Sequence, residues 1–229
     1  MFYENVSLEI HHELKGFTKF FFNISKKFKF FKKINFIFIL KNLKTHFNLH
    51  NKNIILDDAV DLSEFKNIYD FKKIYNTCIY SGSFTKGKGI ELILKIAKIT
   101  NKIKFHLYGD ISNSKFLKSD LEKYKNVYYN GFVEYKNVPK ILNKYYLYLM
   151  PYSKKVFVRS NNLEVGKYMS PLKLFEYMAS SGVLMASKMQ VYNHVLNKNN
   201  SILITKNSPK EWKVKIEKFF YNRKKYNYL

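Results

Sequence analysis

Short apolar runs alternate with amphipathic stretches through the second half of this 229-residue chain. The runs, several of which end at Gly or Pro, predict strands, whereas the stretches between them carry apolar residues at helical spacing. The predicted strands are 77–81, 104–108, 127–129, 146–150, 183–187 and 202–204, and the predicted helices are 90–99, 138–144, 171–180 and 210–221. This alternation indicates βαβ units, so we expect an α/β fold with a doubly wound parallel sheet.

The first part of the chain is less regular. Residues 36–40 and 54–56 predict strands with a helix between them. Ahead of them, 16–33 carries Phe at helical spacing interleaved with Lys, which predicts one amphipathic helix with an aromatic and a basic face. Such a helix either packs on a sheet or rests on an anionic membrane surface, and the sequence leaves both alternatives open.

The composition adds a formal net charge of +24, nearly all of it from Lys, and an aromatic content of 18%. A field of this sign attracts polyanions, but the same composition is typical of an AT-rich genome. Lys is scattered over every segment, so we attribute most of the charge to codon bias, with electrostatic roles for parts of it. A nucleic-acid-binding protein ranks last among our hypotheses, because no RNA-binding or helix-turn-helix signature accompanies the charge.

The single cysteine, Cys78, excludes an intramolecular disulfide and a multi-cysteine metal site. No carboxylate pair or Asp-x-Asp cluster is placed to hold a metal, so we predict neither metal nor cofactor. No charged-then-apolar leader and no run of 18 apolar residues occurs. We therefore expect a cytoplasmic protein, peripheral on the inner face of the membrane if 16–33 binds there.

A Gly- and Lys-rich loop, GSFTKGKG, joins the predicted strand 77–81 to the next helix. Glycine at such a turn lets backbone amides approach a ligand, and a helix N-terminus favours negative charge. Lys86 and Lys88 add point charges that suit phosphate. The loop is neither a Walker loop nor a GxGxxG, and taken alone it is more often a structural turn than a site.

The block YMSPLKLFEYMASSG carries a stronger signal. Pro171 is expected in the first turn of a helix and Ser170 at its N-cap. Lys173 then falls in the first turn, where positive charge opposes the helix dipole unless an anion binds there. Glu176 follows one turn later among apolar residues, where its carboxylate needs a partner such as a ribose diol or a nearby Lys.

Taken together, GSF-x3-KG, LYGD, YNGFV, LMPY and SPLKLFEYMASSGVLMAS resemble, in this order, the C-terminal domain of the retaining glycosyltransferase family four. The resemblance runs from about Tyr80 to Ile204, and SPLKLFEYMA is its most specific part. It implies a GT-B fold, in which two Rossmann-like domains face each other and the second holds most of a nucleotide-diphosphate sugar. That sugar would be the donor substrate.

The resemblance implies a role for each matching position. Glu176 would bind the ribose hydroxyls, and Lys88 and Lys173 would contact the diphosphate. LEIHHEL resembles the E-x-H at the end of an inner strand of the family, which would make His11 the histidine near the donor sugar. The predicted catalytic residues are therefore His11, Lys88 and Glu176. The predicted donor-binding residues are Gly82, Ser83, Lys88, Gly109, Gly131, Phe132, Val133, Ser170, Leu172, Lys173 and Glu176.

The same comparison suggests the domain organisation. FIFILKNLKTHF and IILDDAVDLSEF resemble the last strands of a first domain and the crossover to the second, with Asp61 as the crossover Asp. We predict a partial, acceptor-side, Rossmann-like domain at 1–76, a nucleotide-sugar-binding domain at 77–208 and a C-terminal helix at 209–229. A complete first domain of this kind needs ~100–150 residues.

Three departures from the family pattern qualify these expectations. Ser83 replaces the Arg that many members carry in the phosphate loop, which removes a bidentate clamp. Tyr168 replaces the first of two Glu residues eight positions apart, of which Glu176 is the second. The shortness of the first domain leaves a truncated form, a split gene or a second subunit that supplies the missing half as alternatives.

Our first hypothesis is therefore a retaining glycosyltransferase that transfers a sugar to a glycan or a lipid-linked acceptor. The alternative is a non-catalytic fragment or subunit that binds the nucleotide sugar and needs a partner chain.

Overall fold

The structure is a computed structural model that describes residues 6–65, 73–112, 114–158 and 163–222. The chain divides into two compact units. The small unit comprises Met1–Asp58 and Lys167–Pro171, and the large unit comprises Ala59–Gly166 and Leu172–Leu229. The end of the predicted C-terminal segment, 223–229, lies outside the described residues.

A three-stranded parallel sheet forms the framework of the small unit. Its elements are β1 (Val6–Ile10), α1 (Gly16–Ser25), β2 (Ile34–Phe38), α2 (Lys41–Phe47) and β3 (Asn53–Ile55). The strand order is β1-β2-β3, and both pairs are parallel. Alternate residues of β2, Phe36 and Phe38, are fully buried, and Leu43 of α2 covers them. The described part of this unit thus contains half of an ordinary six-stranded sheet.

The large unit contains a six-stranded parallel sheet with helices between its strands. Its elements are β4 (Ile74–Ser81), α3 (Ile90–Lys98), β5 (Lys104–Tyr108), α4 (Lys118–Glu122), β6 (Val127–Tyr129), α5 (Val138–Leu142), β7 (Tyr145–Met150), β8 (Phe157–Val158), β9 (Leu163–Glu164), α6 (Leu172–Ala179), β10 (Val183–Ser187), β11 (Ile202–Ile204) and α7 (Pro209–Tyr221). β8 and β9 form a separate antiparallel pair.

The order of strands in this sheet is β6-β5-β4-β7-β10-β11, with every pair parallel. Counted from β4, the strands lie in the order third, second, first, fourth, fifth and sixth, which is the doubly wound Rossmann arrangement. The predicted α/β fold class is confirmed. In such sheets the order in which strands are added reverses between the first and fourth strands, here β4 and β7, and ligands bind beyond the carboxyl ends of the strands at this reversal point.

The buried faces explain why these segments form these elements. β4 ends in TCIYS and β7 reads YYLYLM, and such largely apolar runs suit strands that are covered on both faces. Cys78 in β4 is fully buried. Helix α3 buries Ile90, Ile93 and Ile96 on one side, and α7 packs against it with Trp212 fully buried.

The predicted continuous helix over 16–33 is wrong. Helix α1 ends at Ser25, whose hydroxyl donates to the carbonyl of Phe22, and a separate 3₁₀ turn spans Lys29–Lys33. Beyond the break, Phe31 lies in the core, where it contacts Phe36 and is 4% exposed. Sequence reasoning also missed the antiparallel pair β8–β9 and the short helix α4.

No helix among the described residues combines the length and the hydrophobicity that crossing a bilayer requires.

Candidate functional site

Three glycines end neighbouring strands at one edge of the large sheet. Gly82 follows β4, Gly109 follows β5, and Gly131 lies two residues after β6. The N–H of Gly82 donates to the carbonyl of Tyr108 at 2.9 Å, and that of Gly109 donates to the carbonyl of Gly131 at 2.8 Å. The structure thus brings the three predicted glycine positions together at the carboxyl ends of the strands, where doubly wound folds bind ligands.

The loop from Gly82 to Gly89 leads from β4 into the first turn of α3. Gly89 has φ +88° and precedes the helix, and a Cβ at this position would lie 2.1 Å from the carbonyl oxygen of Pro151. The N-terminus of α3 therefore lies against the segment that follows β7, so it is at the reversal point of the sheet. No side chain in the described ranges caps this helix, and its first amides are of the kind that bind anions at helix N-termini.

Two cationic side chains accompany this loop. The ammonium group of Lys88 donates to the hydroxyl of Ser83 at 2.9 Å. Lys173 lies in the first turn of α6 and is 7% exposed. Its Nζ is close enough to the backbone of Gly82 that a Cβ there would lie 2.5 Å from it. Gly82 has φ +142°, so both the backbone conformation and the lysine require glycine.

Tyrosine rings surround the Lys173 ammonium group. The Nζ lies 3.5 Å from the ring centroid of Tyr80 and 5.5 Å from that of Tyr152. Within the described part of the chain, this buried Nζ has no hydrogen-bond acceptor. Cation–π contacts compensate a desolvated ammonium by about 2 kcal/mol or more, but they supply no hydrogen-bond acceptor. A buried cation without an acceptor is costly, so an anionic ligand would stabilise this arrangement.

The electrostatics of the two lysines agree with this conclusion. Burial lowers the pKa of Lys173 well below its usual value, the neighbouring Lys88 lowers it further, and Glu176 partly opposes both effects. Burial also lowers the pKa of Lys88. The two ammonium groups lie close enough to repel each other. An anion with more than one negative charge can interact with both, so it binds more strongly than it would to either lysine alone. The site therefore suits a diphosphate.

Glu176 lies one turn beyond Lys173 on α6 and is 8% exposed. Burial raises the pKa of its carboxyl group, and Lys173 partly offsets that increase. Burial is the main cause that raises the pKa of the Tyr135 hydroxyl. The carboxylates of Glu176, Glu64 and Asp61 raise it further, with Glu176 contributing the most of the three. Glu176 and the predicted crossover residue Asp61 thus lie near the same tyrosine, where carboxylates can accept hydrogen bonds from ligand hydroxyls.

The remaining predicted residues of the large unit form its exposed rim. Phe132 is 71% exposed and Leu172 is 39% exposed. Gly131 has φ +76° and open space beside its Cα, and Val133 is half-buried. An exposed phenylalanine next to an open glycine provides a flat apolar surface suited to an aromatic base.

Two predicted residues, His11 and Ser170, belong to the small unit. The Nε2 of His11 lies 3.0 Å from the Glu9 carboxylate, and the imidazole is half-exposed. The hydroxyl of Ser170 accepts a hydrogen bond from the N–H of Asp58 at 3.0 Å. Helix α6 begins two residues later in the chain, at Leu172.

Sequence reasoning missed the tyrosines that hold the site together. The hydroxyl of Tyr80 donates to the carbonyl of Ser83 at 2.8 Å, which anchors the loop from Gly82 to Gly89 on β4. The hydroxyl of Tyr177 accepts the N–H of Ser81 at 2.8 Å, which ties α6 to the end of β4. Their positions in apolar runs indicate only core packing, and the contacts become apparent only when the strands are assembled. Among the described residues, no group of three His, Cys, Asp or Glu side chains could hold a metal ion.

The fold and this edge of the sheet define a Rossmann-like domain with a candidate anion-binding site. The Glycosyl transferases group 1 family matches residues 61–229, which is most of the chain. The chain therefore belongs to this family. None of the curated proteins compared with the chain matches it.

Solved structures of similar fold include three informative proteins. HepE (Alr3699) from Anabaena, in complex with UDP, has a TM-score of 0.67 at 12% identity, over 97% of this chain and 64% of that one. A mutant of S. aureus TarM, in complex with fondaparinux, alpha-GlcNAc-glycerol and UDP, has a TM-score of 0.64 at 16% identity, over 97% and 45%. The C-terminal domain of the group 1 protein LpcC from Francisella tularensis has a TM-score of 0.54 at 17% identity, over 74% of this chain and 92% of that one.

These similarities show a shared GT-B type fold. The chain spans less than two thirds of the length of the HepE and TarM chains, but it covers nearly all of the isolated LpcC domain.

Proposed function

We propose that this chain binds a nucleotide-diphosphate sugar and acts as the donor side of a glycosyltransferase. The observation that carries the proposal is the ammonium group of Lys173, which is buried at the reversal point of the sheet without an acceptor among the described residues. Lys88 and the free amides of α3 lie at the same edge. A diphosphate provides the acceptor oxygens and the charge that this arrangement lacks.

The rest of the donor fits the surrounding residues. We assign to Glu176, with its carboxyl group ionised, the role of accepting hydrogen bonds from the ribose hydroxyls. Phe132, exposed next to Gly131, offers an apolar surface for the base. HepE and the TarM mutant were both solved with UDP, so uridine diphosphate is our first choice of nucleotide.

The proposed chemistry is transfer of the sugar from phosphate to a hydroxyl group. The bond between the anomeric carbon and the phosphate oxygen breaks, and the electron pair remains on the departing diphosphate. The two lysines and the helix amides stabilise the charge that develops there. This mechanism assigns Lys88 a direct role in catalysis and Glu176 a role in holding the donor. We propose for His11 a position near the transferred sugar.

We also propose that the configuration of the sugar is retained, as the resemblance to family four implies, and that the acceptor is a glycan or a lipid-linked saccharide. Retention is tested by incubating the chain with the donor and an acceptor and recording the anomeric coupling of the product by NMR. A product of inverted configuration would contradict this part of the proposal and leave the donor site intact.

A second candidate function is favoured by the small unit. Its three-stranded sheet is small for an acceptor-binding domain of ~100–150 residues. The chain would then bind the nucleotide sugar without transferring it until a second chain supplies the missing part. Tight binding of the donor without turnover would favour this candidate over the first.

The donor site is tested by thermal denaturation with UDP, GDP, ADP and CMP in turn. We expect one diphosphate to raise the melting temperature, because a ligand that binds only the folded state stabilises it by mass action. Glu176→Ala and Lys88→Ala should abolish the shift, while Lys95→Ala, on the solvent side of α3, should preserve it. A chain that melts cooperatively and responds to none of the nucleotides would refute the donor site.

A further inference from the structure

Helix α1 carries a regular apolar stripe that its own unit leaves uncovered. Phe17, Phe20, Phe21 and Ile24 follow the i, i+3, i+4, i+7 spacing of a single helix face. The three phenylalanines are 82%, 57% and 63% exposed, in chain order, and Ile24 is half-buried. No residue of α1 is buried, although six of its ten residues are apolar or glycine.

A different residue anchors this helix to the sheet. The Phe22 ring makes edge contacts with Phe31, Phe36 and Phe47, with centroids 5.4 to 6.2 Å apart. At 3.6 residues per turn, Phe22 points roughly 150° away from the centre of the stripe. The centre of the aromatic stripe is therefore not the packing face of α1, although Phe17 and Phe21 at its edge also line a groove with Leu8 of β1.

The segment that follows extends the same aromatic and basic character. Phe28 and Phe30 are 52% and 55% exposed, with their rings stacked 5.8 Å apart. Residues 15–33 contain seven lysines and no Asp or Glu. All seven are exposed, and none forms an ion pair with a described carboxylate. The lysines are Lys15, Lys19, Lys26, Lys27, Lys29, Lys32 and Lys33.

We propose that residues 15–33 form a docking surface for an anionic lipid bilayer. Exposed phenylalanines enter the interface between headgroups and acyl chains, and the lysines around them bind the lipid phosphates. The positive charge favours an anionic bilayer over a protein partner, because the cores of protein interfaces are usually depleted of lysine. Duplex nucleic acid would use the lysines but leave the apolar stripe without a role, because its bases are already stacked. The inference does not depend on the proposed donor site.

The surface is tested by floating the full chain with phosphatidylcholine vesicles that contain or lack phosphatidylglycerol. The wild-type chain should float only with the anionic vesicles, and added salt should weaken the binding. A stripe variant carrying Phe17→Ser, Phe20→Ser and Phe21→Ser should bind about tenfold more weakly or worse, because less apolar area is buried. A charge variant carrying Lys19→Glu, Lys26→Glu and Lys27→Glu should lose about fivefold per lysine or more.

The matched control carries Lys210→Glu, Lys215→Glu and Lys218→Glu on the exposed side of α7, which changes the net charge equally. It should float like the wild type, and all variants should melt at similar temperatures because the substituted side chains are not buried. The proposal is overturned if the wild type ignores anionic vesicles, if the stripe variant floats normally, or if the control loses as much binding as the charge variant. It is also overturned if the wild type forms dimers that the stripe variant loses while neither binds vesicles.

Discussion

Replacing Lys173 by Met removes the buried ammonium group while keeping a long unbranched side chain between Tyr80 and Tyr152. In the ligand-free chain, this ammonium has no acceptor among the described residues. A buried donor without a partner costs about 1–3 kcal/mol, and more when it is charged. The contact with the Tyr80 ring returns about 2 kcal/mol or more of this cost. We therefore expect Lys173→Met to raise the free energy of unfolding by about 1–2 kcal/mol.

The pH dependence of this gain has a definite sign. Burial lowers the folded-state pKa of Lys173 below its unfolded value. Between these two pKa values the unfolded chain binds more protons, so the wild type becomes more stable as pH rises toward the ordinary lysine pKa. Met does not titrate, so the advantage of the variant should be largest below the folded-state pKa and shrink as pH rises through this window.

The same substitution should weaken diphosphate binding. A charge-assisted hydrogen bond contributes about 1.5–3 kcal/mol, which corresponds to roughly a 10- to 150-fold increase in the Kd. Thermal denaturation without ligand should show a melting temperature raised by about 2–4 °C per kcal/mol, and titration should show weaker nucleotide binding. Lys210→Met on α7 is the control and should change neither quantity. A Met variant that is less stable than the wild type and binds UDP equally well would refute the reasoning.

Three further predictions follow from neighbouring contacts. Gly82→Ala places a Cβ 2.5 Å from the Lys173 Nζ at φ +142°, so calorimetry should show lost UDP binding, whereas Gly16→Ala, at φ +54° in open space, should leave binding unchanged. Burial raises the pKa of Glu176, so UDP affinity should fall with decreasing pH at a midpoint above the ordinary Glu value, and an unchanged profile in Glu176→Gln would contradict its role. Tyr177→Phe leaves the Ser81 N–H without its acceptor and should destabilise the chain by about 1–3 kcal/mol in urea denaturation; a variant as stable as the wild type would show that this hydrogen bond contributes nothing.

The large sheet could be predicted from sequence because its strands are separate apolar runs, several of which end at Gly or Pro. The runs 104–108, 127–129, 183–187 and 202–204 coincide with β5, β6, β10 and β11. The break of the helix at Ser25 could not be predicted, because the spacing of Phe continues through it. The break accompanies a tertiary contact, the burial of Phe31 against Phe36, which the local pattern does not specify.

The candidate site likewise has features that the sequence predicts and features that it does not. Lys173 breaks a local rule, because a lysine in the first turn opposes the helix dipole. This conflict and the run of glycines between a strand and a helix are both visible in the sequence. The supporting tyrosines obey local rules, because Tyr80 and Tyr177 lie in apolar runs where buried aromatics are ordinary. Their hydroxyl contacts to Ser83 and Ser81 depend on the arrangement of strands and helix, which no local pattern specifies.

The most direct test of the donor site is isothermal titration of UDP into the wild type and into Lys88→Met and Lys173→Met, each in two buffers of different ionisation enthalpy at mildly alkaline pH. We expect the wild type to bind UDP and to take up a proton, because the diphosphate raises the depressed pKa of Lys173. Both variants should bind at least tenfold more weakly, and Lys173→Met should take up no proton at that position. Wild-type binding that both variants retain in full, or no UDP binding by a chain that melts cooperatively, would contradict the account.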